Sequence, residues 1–295
     1  MNRQKLLLIV NPYAGKMKAG GALLDLISEF SSHKYDVTVF PTMKKSDARE
    51  KVVRDGADYD LIVCCGGDGT VSETVNGIAA LPSPPPFSFI PSGTVNDFAN
   101  TMTMPSDLKQ AARRIISGKN RPLDIGAFNS KFFIYVAAFG LFTSVSYTVP
   151  QDAKKMFGQL SYVMEGIKQA IEIPSHRMTV KFNNRVIKDD FVVGLVTNST
   201  SVAGLFKIDK ARVRLDDGKF ELLLVKNPEN PIILSQIFVD LTMQRYDPDY
   251  VIFERVSDVS FRSEKSIAWC LDGESGGNYK KAAVTNLHKK GVIRI

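Results

Sequence analysis

Residues 5–10, 36–40, 60–65 and 87–90 are short apolar runs of strand length. Between them, apolar positions recur every three to four residues. Leu23, Leu24, Ile27 and Phe30 give that spacing over 21–30, and Leu108, Ala111, Ala112, Ile115 and Ile116 repeat it. A further helix is expected over 71–78. Ser46 and Ser106 stand at N-cap positions, and Gly56 and Gly118 stand where those helices would stop. Strands alternating with helices in this way predict a mostly parallel sheet covered on both faces. In such a sheet the loops at the carboxyl ends of the strands form the ligand crevice. Residues 11–16, 41–45, 66–70 and 91–97 all follow predicted strands, so they would crowd one edge.

Beyond Asp124 the pattern changes. Strands are expected over 132–139, 177–182, 185–197, 219–225, 259–262, 267–271 and 284–287. Asn183-Asn184 and Asp217-Gly218 are hairpin-turn signals. Helices are expected over 159–173 and 231–244. The expected fold is an α/β N-terminal domain over 1–124 and an antiparallel β-sandwich domain over 125–288. The proline-rich stretch 82–86 reads as a stiff surface connection.

Composition narrows the partners. No apolar run approaches the roughly 18 to 20 residues of a membrane span. The first strand reaches Asn11-Pro12 after only a few apolar residues, so no secretory signal is expected and the protein is read as cytoplasmic. Its three cysteines, Cys64, Cys65 and Cys270, lack metal spacing and are expected to be buried packing residues. The net charge of +7 suits anionic partners: nucleotides, nucleic acid or acidic lipid surfaces. No aromatic-plus-basic ribonucleoprotein motif is present, so no nucleic acid partner is expected.

The densest chemistry is Gly66-Gly67-Asp68-Gly69-Thr70, between a predicted strand and a predicted helix. Glycines there let backbone N–H groups approach phosphate oxygens, and the helix adds its positive dipole end. Asp68 would repel a bare phosphate; it makes sense with a divalent cation, or a hydroxyl to be deprotonated, in between. As an exposed loop carboxylate it should matter little to stability. Thr70 and Glu73 have capping-box spacing. Asn11, Pro12, Tyr13, Ala14, Gly15 and Lys16 follow the first strand and could also hold phosphates, or form an ordinary turn. In the segment 91–99, Ser92, Thr94 and Asn96 can hydrogen-bond ribose or phosphate, and Asp97 can accept from a hydroxyl; capping explains one of them. Leu271-Asp272-Gly273-Glu274 pairs two carboxylates, though Asp272-Gly273 also reads as a hairpin turn.

Four features occur in order: Asn-Pro-x-x-Gly after the first strand, Gly-Gly-Asp-Gly-Thr with Glu three residues on, Ser-Gly-Thr-x-Asn-Asp-Phe-Ala, and Leu-Asp-Gly-Glu. With these the chain resembles, over essentially its full length, the soluble bacterial lipid kinases with a diacylglycerol kinase catalytic domain. Gly-Gly-Asp-Gly alone is shared with NAD kinases and phosphofructokinases, whose N-terminal fold is implied too. The resemblance implies an ATP- and Mg²⁺-dependent kinase acting on a lipid hydroxyl, with diacylglycerol the default acceptor. It implies nucleotide contacts at Asn11, Pro12, Tyr13, Ala14, Gly15, Lys16, Thr42, Gly66, Gly67, Asp68, Gly69, Thr70, Val71, Ser72, Thr94, Asn96 and Asp97. It makes Glu274 the proton acceptor, aided by Asp272, with Asp68 handling metal-bound phosphate. It implies a Mg²⁺ site from the Asp217 carboxylate and the Arg214 and Lys219 carbonyls. It also returns the C-terminal tail, about 289–295, to the first domain, and brings the protein to anionic membranes as a peripheral visitor; a homodimer is left open. Relatives often carry a basic residue after a Gly-x-Leu-x-Tyr-like segment, here 158–162; this chain has Glu165 there, with Lys168 one turn on and Lys154-Lys155 as candidate substitutes. An NAD kinase and a non-catalytic nucleotide or lipid sensor are the alternatives.

Overall fold

The computed structural model describes residues 3–14, 18–94, 96–141, 174–202, 206–208 and 213–295. Gly15, Lys16, the helix expected over 159–173, the 158–162 segment, Lys154, Lys155, Glu165 and Lys168 lie outside the described residues. The chain divides into two compact units. Unit 1 holds 1–125, 132–134 and 287–295; unit 2 holds 126–131 and 135–286.

Unit 1 is built on four strands: β1 (Gln4–Val10), β2 (Tyr35–Pro41), β3 (Leu61–Gly66) and β4 (Phe87–Pro91). Their order is β2-β1-β3-β4, and every pairing is parallel. Leu6 to Ile9 and Ile62 to Cys65 have no solvent exposure, the signature of strands covered on both faces. The helices α1 (Lys18–Ser32), α2 (Asp47–Asp55), α3 (Asp68–Ala80), α4 (Asp97–Met102) and α5 (Leu108–Ser117) connect and cover them. Neither serine caps as expected. Asp107 caps α5, accepting from the Gln110 N–H at 2.8 Å. Ser46 sits at φ 73° with no side-chain cap bond, and Asp47 binds the Met43 and Lys44 amides instead, at 2.7 and 2.9 Å.

The strands β5 (Asn120–Phe128) and β6 (Lys131–Phe133) follow, then in unit 2 β7 (Val136–Gly140), β8 (His176–Phe182), β9 (Arg185–Thr197), β10 (Ser201–Val202), β11 (Phe206–Lys207), β12 (Phe220–Lys226), the helix α6 (Pro231–Thr242), β13 (Val251–Val256), β14 (Asp258–Leu271) and β15 (Glu274–Arg294). The pairings in unit 2 are antiparallel, in the order β13-β12-β9-β7-β14-β15, with β8 joining β9 and β14. Asn183 and Asn184 form the expected β8–β9 turn at φ 46° and 60°. Phe139, Phe261 and Trp269 meet with ring centroids 4.9 to 5.8 Å apart in its core.

The strand boundaries depart from the sequence expectation in three places. The run 132–139 is two strands, broken at Ile134–Tyr135, where the backbone turns to meet Asp272. The runs 259–262 and 267–271 are one strand with an irregularity between Arg262 and Ile267. The run 284–287 is a fragment of the 21-residue β15. Polar residues fill β15 because alternate positions face solvent, and that hides its length from an apolar count.

The last residues of β15 belong to unit 1. Ile293 pairs in parallel with Phe87. The Ser88 hydroxyl donates to the Arg294 carbonyl at 2.7 Å, and the Arg294 guanidinium donates to Ile115 O at 3.0 Å. Asp124, fully buried, accepts from the Lys289 amide at 2.7 Å and contacts His288 Nδ1 at 3.1 Å. The three cysteines are free and buried, and burial pushes the Cys64 thiol up to about 12 and those of Cys65 and Cys270 up to about 11.

Candidate active site

In unit 1 the loops after β1, β2, β3 and β4 are tied together by short polar contacts. The Asn11 amide donates to Cys65 O at 2.9 Å, and Asn11 Nδ2 donates to Thr70 Oγ1 at 3.3 Å. Thr42, buried, donates its amide to Val10 O at 2.8 Å. Ser92 N donates to Gly66 O at 2.9 Å. Asn11, Thr42 and Thr70 therefore hold loops in place, whatever else they bind. Tyr13 and Thr94 are exposed, and Val71 and Ser72 are buried in α3.

Two glycines set how closely these loops approach. A Cβ added at Gly93 would come within 2.5 Å of the Gly67 Cα, backbone against backbone. A Cβ at Gly66 would fall 2.4 Å from Thr70 Oγ1. The Gly66-Gly67 and Gly93 loops thus touch through their main chains, and only glycine permits it. The N-terminus of the 13-residue α3 opens beside that contact, where its first amides have no helical acceptor. Thr70 and Glu73 do not form a capping box. Thr70 lies inside the first turn of α3, and Glu73 Oε1 accepts from Ser46 N at 2.7 Å.

The expectation of an exposed Asp68 does not hold. The side chain is half-buried, and its carboxylate accepts the backbone amides of Asp97, Phe98 and Asn96 at the start of α4. It is the acidic cap of a neighbouring helix, an account in plain structural terms that the sequence did not supply. Burial raises its pKa, and the three amides oppose that shift. Asn96, at φ 55°, is spent on its own loop: its Oδ1 accepts from Gly93 N at 3.0 Å and its Nδ2 donates to Gly93 O at 2.9 Å.

Asp97 is 7 % exposed, and burial together with the charge of Asp68 pushes its pKa up to about 6. A carboxyl raised in the folded state contributes stability below its unfolded value and loses it as pH rises through the folded one. Asp97→Asn should therefore raise the melting temperature near pH 8, and the advantage should vanish below about pH 4. The difference between 3.8 and about 6 bounds the gain at about 3 kcal/mol. Thermal melts of both proteins across that range decide it; a pH-independent difference would contradict the assignment.

In unit 2, Asp272 (φ 49°) and Gly273 (φ 83°) make the tight turn that joins β14 to β15, with Leu271 paired to Glu274. The hairpin-turn reading of these residues is thus correct, and it coexists with the carboxylate pair. Asp272 is 1 % exposed, and its Oδ1 accepts from Tyr135 N and Val136 N, both at 3.0 Å. Tyr135 is held from its other side as well, its carbonyl accepting from Thr197 Oγ1 at 2.6 Å and Asn198 N at 2.9 Å. Glu274 is exposed. One carboxylate fixes the turn, and the other belongs to an exposed residue. Tyr135 and Val136 enter through backbone amides, which leave no side-chain signature in the sequence.

Arg214 and Lys219 are exposed and Asp217 is half-buried, just before β12. The Asp217 carboxylate accepts from the Arg255 guanidinium and from Lys219 N, the latter at 3.2 Å. Asp217-Gly218 is a turn, with Gly218 at φ 79°. Glu221, fully buried beneath it, has carboxylate oxygens without a hydrogen-bond partner and lies 3.4 Å from Arg255 Nε. Burial pushes its pKa up to about 7. Among the described residues, no three His, Cys, Asp or Glu side chains cluster with metal-binding geometry, and no helix is long and apolar enough to cross a membrane.

The chain is similar to known proteins. The family model of the diacylglycerol kinase catalytic domain matches residues 5–128. A diacylglycerol kinase of Bacillus subtilis (strain 168) is 30% identical over 92% of this chain and 89% of its own length. One from Staphylococcus haemolyticus is 31% identical over 92% of this chain and 82% of its own. A crystal structure from Bacillus anthracis strain Sterne, assigned as a diacylglycerol kinase, shares the fold at a TM-score of 0.84 with 24% identity, over 99% of this chain and 95% of that one. With glycine loops at the strand ends, a carboxylate hairpin turn and this likeness along nearly its whole length, the chain belongs to the diacylglycerol kinase family.

Proposed function

We propose that the protein is a lipid kinase that moves the γ-phosphoryl group of ATP to a lipid hydroxyl, with diacylglycerol as acceptor and phosphatidic acid as product. The observation that carries the nucleotide half is the main-chain contact of Gly67 with Gly93 beside the N-terminus of α3. Closely apposed glycine loops at a helix N-terminus offer amides and a positive dipole end to phosphate oxygens. In this reading 1–124 and 289–295 bind the nucleotide, and 125–288 receive the lipid. Asn11 to Lys16, Thr42, Gly66 to Ser72, Thr94, Asn96 and Asp97 form the nucleotide side; Asn11, Thr42, Thr70 and Asn96 contribute chiefly by holding loops. Asp68, its carboxylate at the start of α4, would hold a metal ion carried by the phosphates, which would supply positive charge to offset theirs.

Glu274 takes the proton of the acceptor hydroxyl as its oxygen bonds to the γ-phosphorus and the bond to the leaving ADP breaks. Exposure supports this role, because the group must reach a substrate. Asp272 aids it from beneath by fixing the turn. Asp217, with the Arg214 and Lys219 carbonyls, is the candidate Mg²⁺ site. Its oxygen donors fit a hard cation, although Arg255 already pairs with both Asp217 and the buried Glu221. The basic charge of the chain supports peripheral contact with anionic membranes.

Radiolabelled ATP with Mg²⁺ should label diacylglycerol in mixed micelles in preference to other lipids and to soluble NAD. Labelled NAD phosphate with no lipid product would overturn the proposal. ATP binding without any product would favour a sensor.

A further inference from the structure

On the outer face of unit 2, cations line up across four strands. Lys188 of β9 is opposite Thr179 of β8, Thr179 is opposite Arg262 of β14, and Arg262 is opposite Lys281 of β15. Residues directly opposite one another share a face. The next row along the same face is Val186, Lys181, Ser260 and Ala283. The other face of these strands is core: Met178, Val180, Val259, Phe261, Ala282 and Val284 are all buried. Lys181, Lys188, Arg262 and Lys281 are exposed. Among the described residues none of the four makes an ion pair, whereas Arg177 at the edge is paired with Asp190 at 2.8 Å. The same surface also takes in Glu264.

Arg262 directly opposite Lys281 is unfavourable in the free protein, because like charges at such positions repel. An anionic partner would turn the repulsion into attraction. We propose that this face docks onto an anionic phospholipid membrane; the choice of that occupant rests on the lipid-kinase reading. The composition of the face favours a charged plane over the alternatives. It shows no exposed aromatic ring on which nucleic acid bases could stack. Val186 is its one large exposed apolar side chain, too little for the apolar centre of a protein interface. The cations are spread over three strand spacings, roughly 14 Å, rather than converging on one phosphate. The row and the Asp272–Glu274 turn share the β14–β15 hairpin, with nine residues of β14 between Arg262 and Asp272. The face therefore keeps the enzyme on the bilayer and leaves the phosphoryl transfer step alone.

Sedimentation with mixed phosphatidylcholine–phosphatidylglycerol vesicles tests this without requiring turnover. Each basic residue at such a surface is worth roughly 1 kcal/mol, about fivefold. Lys181→Gln, Arg262→Gln and Lys281→Gln together should weaken partitioning about a hundredfold, and Lys188→Gln alone about fivefold, with melting temperatures unchanged. Pure phosphatidylcholine vesicles should bind neither form, and the difference should disappear in about 1 M salt, where the Debye length is about 3 Å. A matched neutralisation of Lys109, Lys119 and Arg121 in unit 1 should have little effect; an equal loss there would reduce the effect to net charge and overturn the proposal. Unaltered partitioning of the triple variant would overturn it too, as would tighter binding to single-stranded RNA than to vesicles that the triple variant abolishes. Phosphorylation of diacylglycerol in detergent micelles reports the kinase reading separately: activity there with no vesicle binding sinks the docking face alone.

Discussion

Glu274→Gln should lower kcat by about 10² to 10⁴, the usual range for a positioned general base. The side chain is exposed and begins β15 just after the Asp272-Gly273 turn, so the substitution should leave the folding stability within about 0.5 kcal/mol of the parent. ATP affinity by calorimetry should be unaltered. Asp272→Ala should behave differently, because its carboxylate is buried on the Tyr135 and Val136 amides. Stranding two buried donors costs on the order of 1–3 kcal/mol each. The Asp272 variant should therefore lose stability and activity together, and the Glu274 variant activity alone. If Glu274→Gln turns over like the parent while Asp272→Asn, folded, is inactive, the base is Asp272.

Asp68→Asn should reduce turnover by about 10² to 10³, the range measured when one electrostatic contact to a reacting centre is removed. Asp68→Ala should do so and also destabilise, because the amides of Asp97, Phe98 and Asn96 would lose their acceptor. The loss of such a cap is worth about 0.5–2 kcal/mol. Relief of the Asp68–Asp97 repulsion offsets part of this, so the net change should sit at the lower end. The asparagine keeps an oxygen for the amides and should melt close to the parent. Thermal melts and turnover, measured on the same preparations, separate cap from catalysis. An Asp68→Asn protein with full activity would leave Asp68 as a cap and nothing more.

Much of unit 1 was legible because its strands are buried on both faces. Continuous apolar runs such as Leu6 to Val10 can be found without knowing their neighbours. The glycine loops were legible for the same kind of local reason. What they do was not. The reason for Gly93 is the Cα of Gly67, far away in sequence. Helix α4 was missed because its cap is Asp68, on another loop, and no local signal marks it. In unit 2 the hairpin at Asn183-Asn184 was readable from its two residues, but the 21-residue β15 was not, since solvent on one face fills it with lysines and small residues.

The sequence by itself determined which segments could be strands and helices, where glycine-rich turns lie, and the likeness to a kinase family. Those properties depend on residues close together along the chain: apolar periodicity, turn chemistry and motif spacing. The tertiary structure alone decided which of the two acidic residues is buried and which is exposed. Asp272 is tied down by amides 136 and 137 residues away, whereas Glu274, two positions on, is exposed. It also decided that Lys188, Arg262 and Lys281 form one row, through strand register. Register and backbone donors are set by long-range pairing of main chains, which is nearly the same for every residue type and so is not written in any local run of side chains.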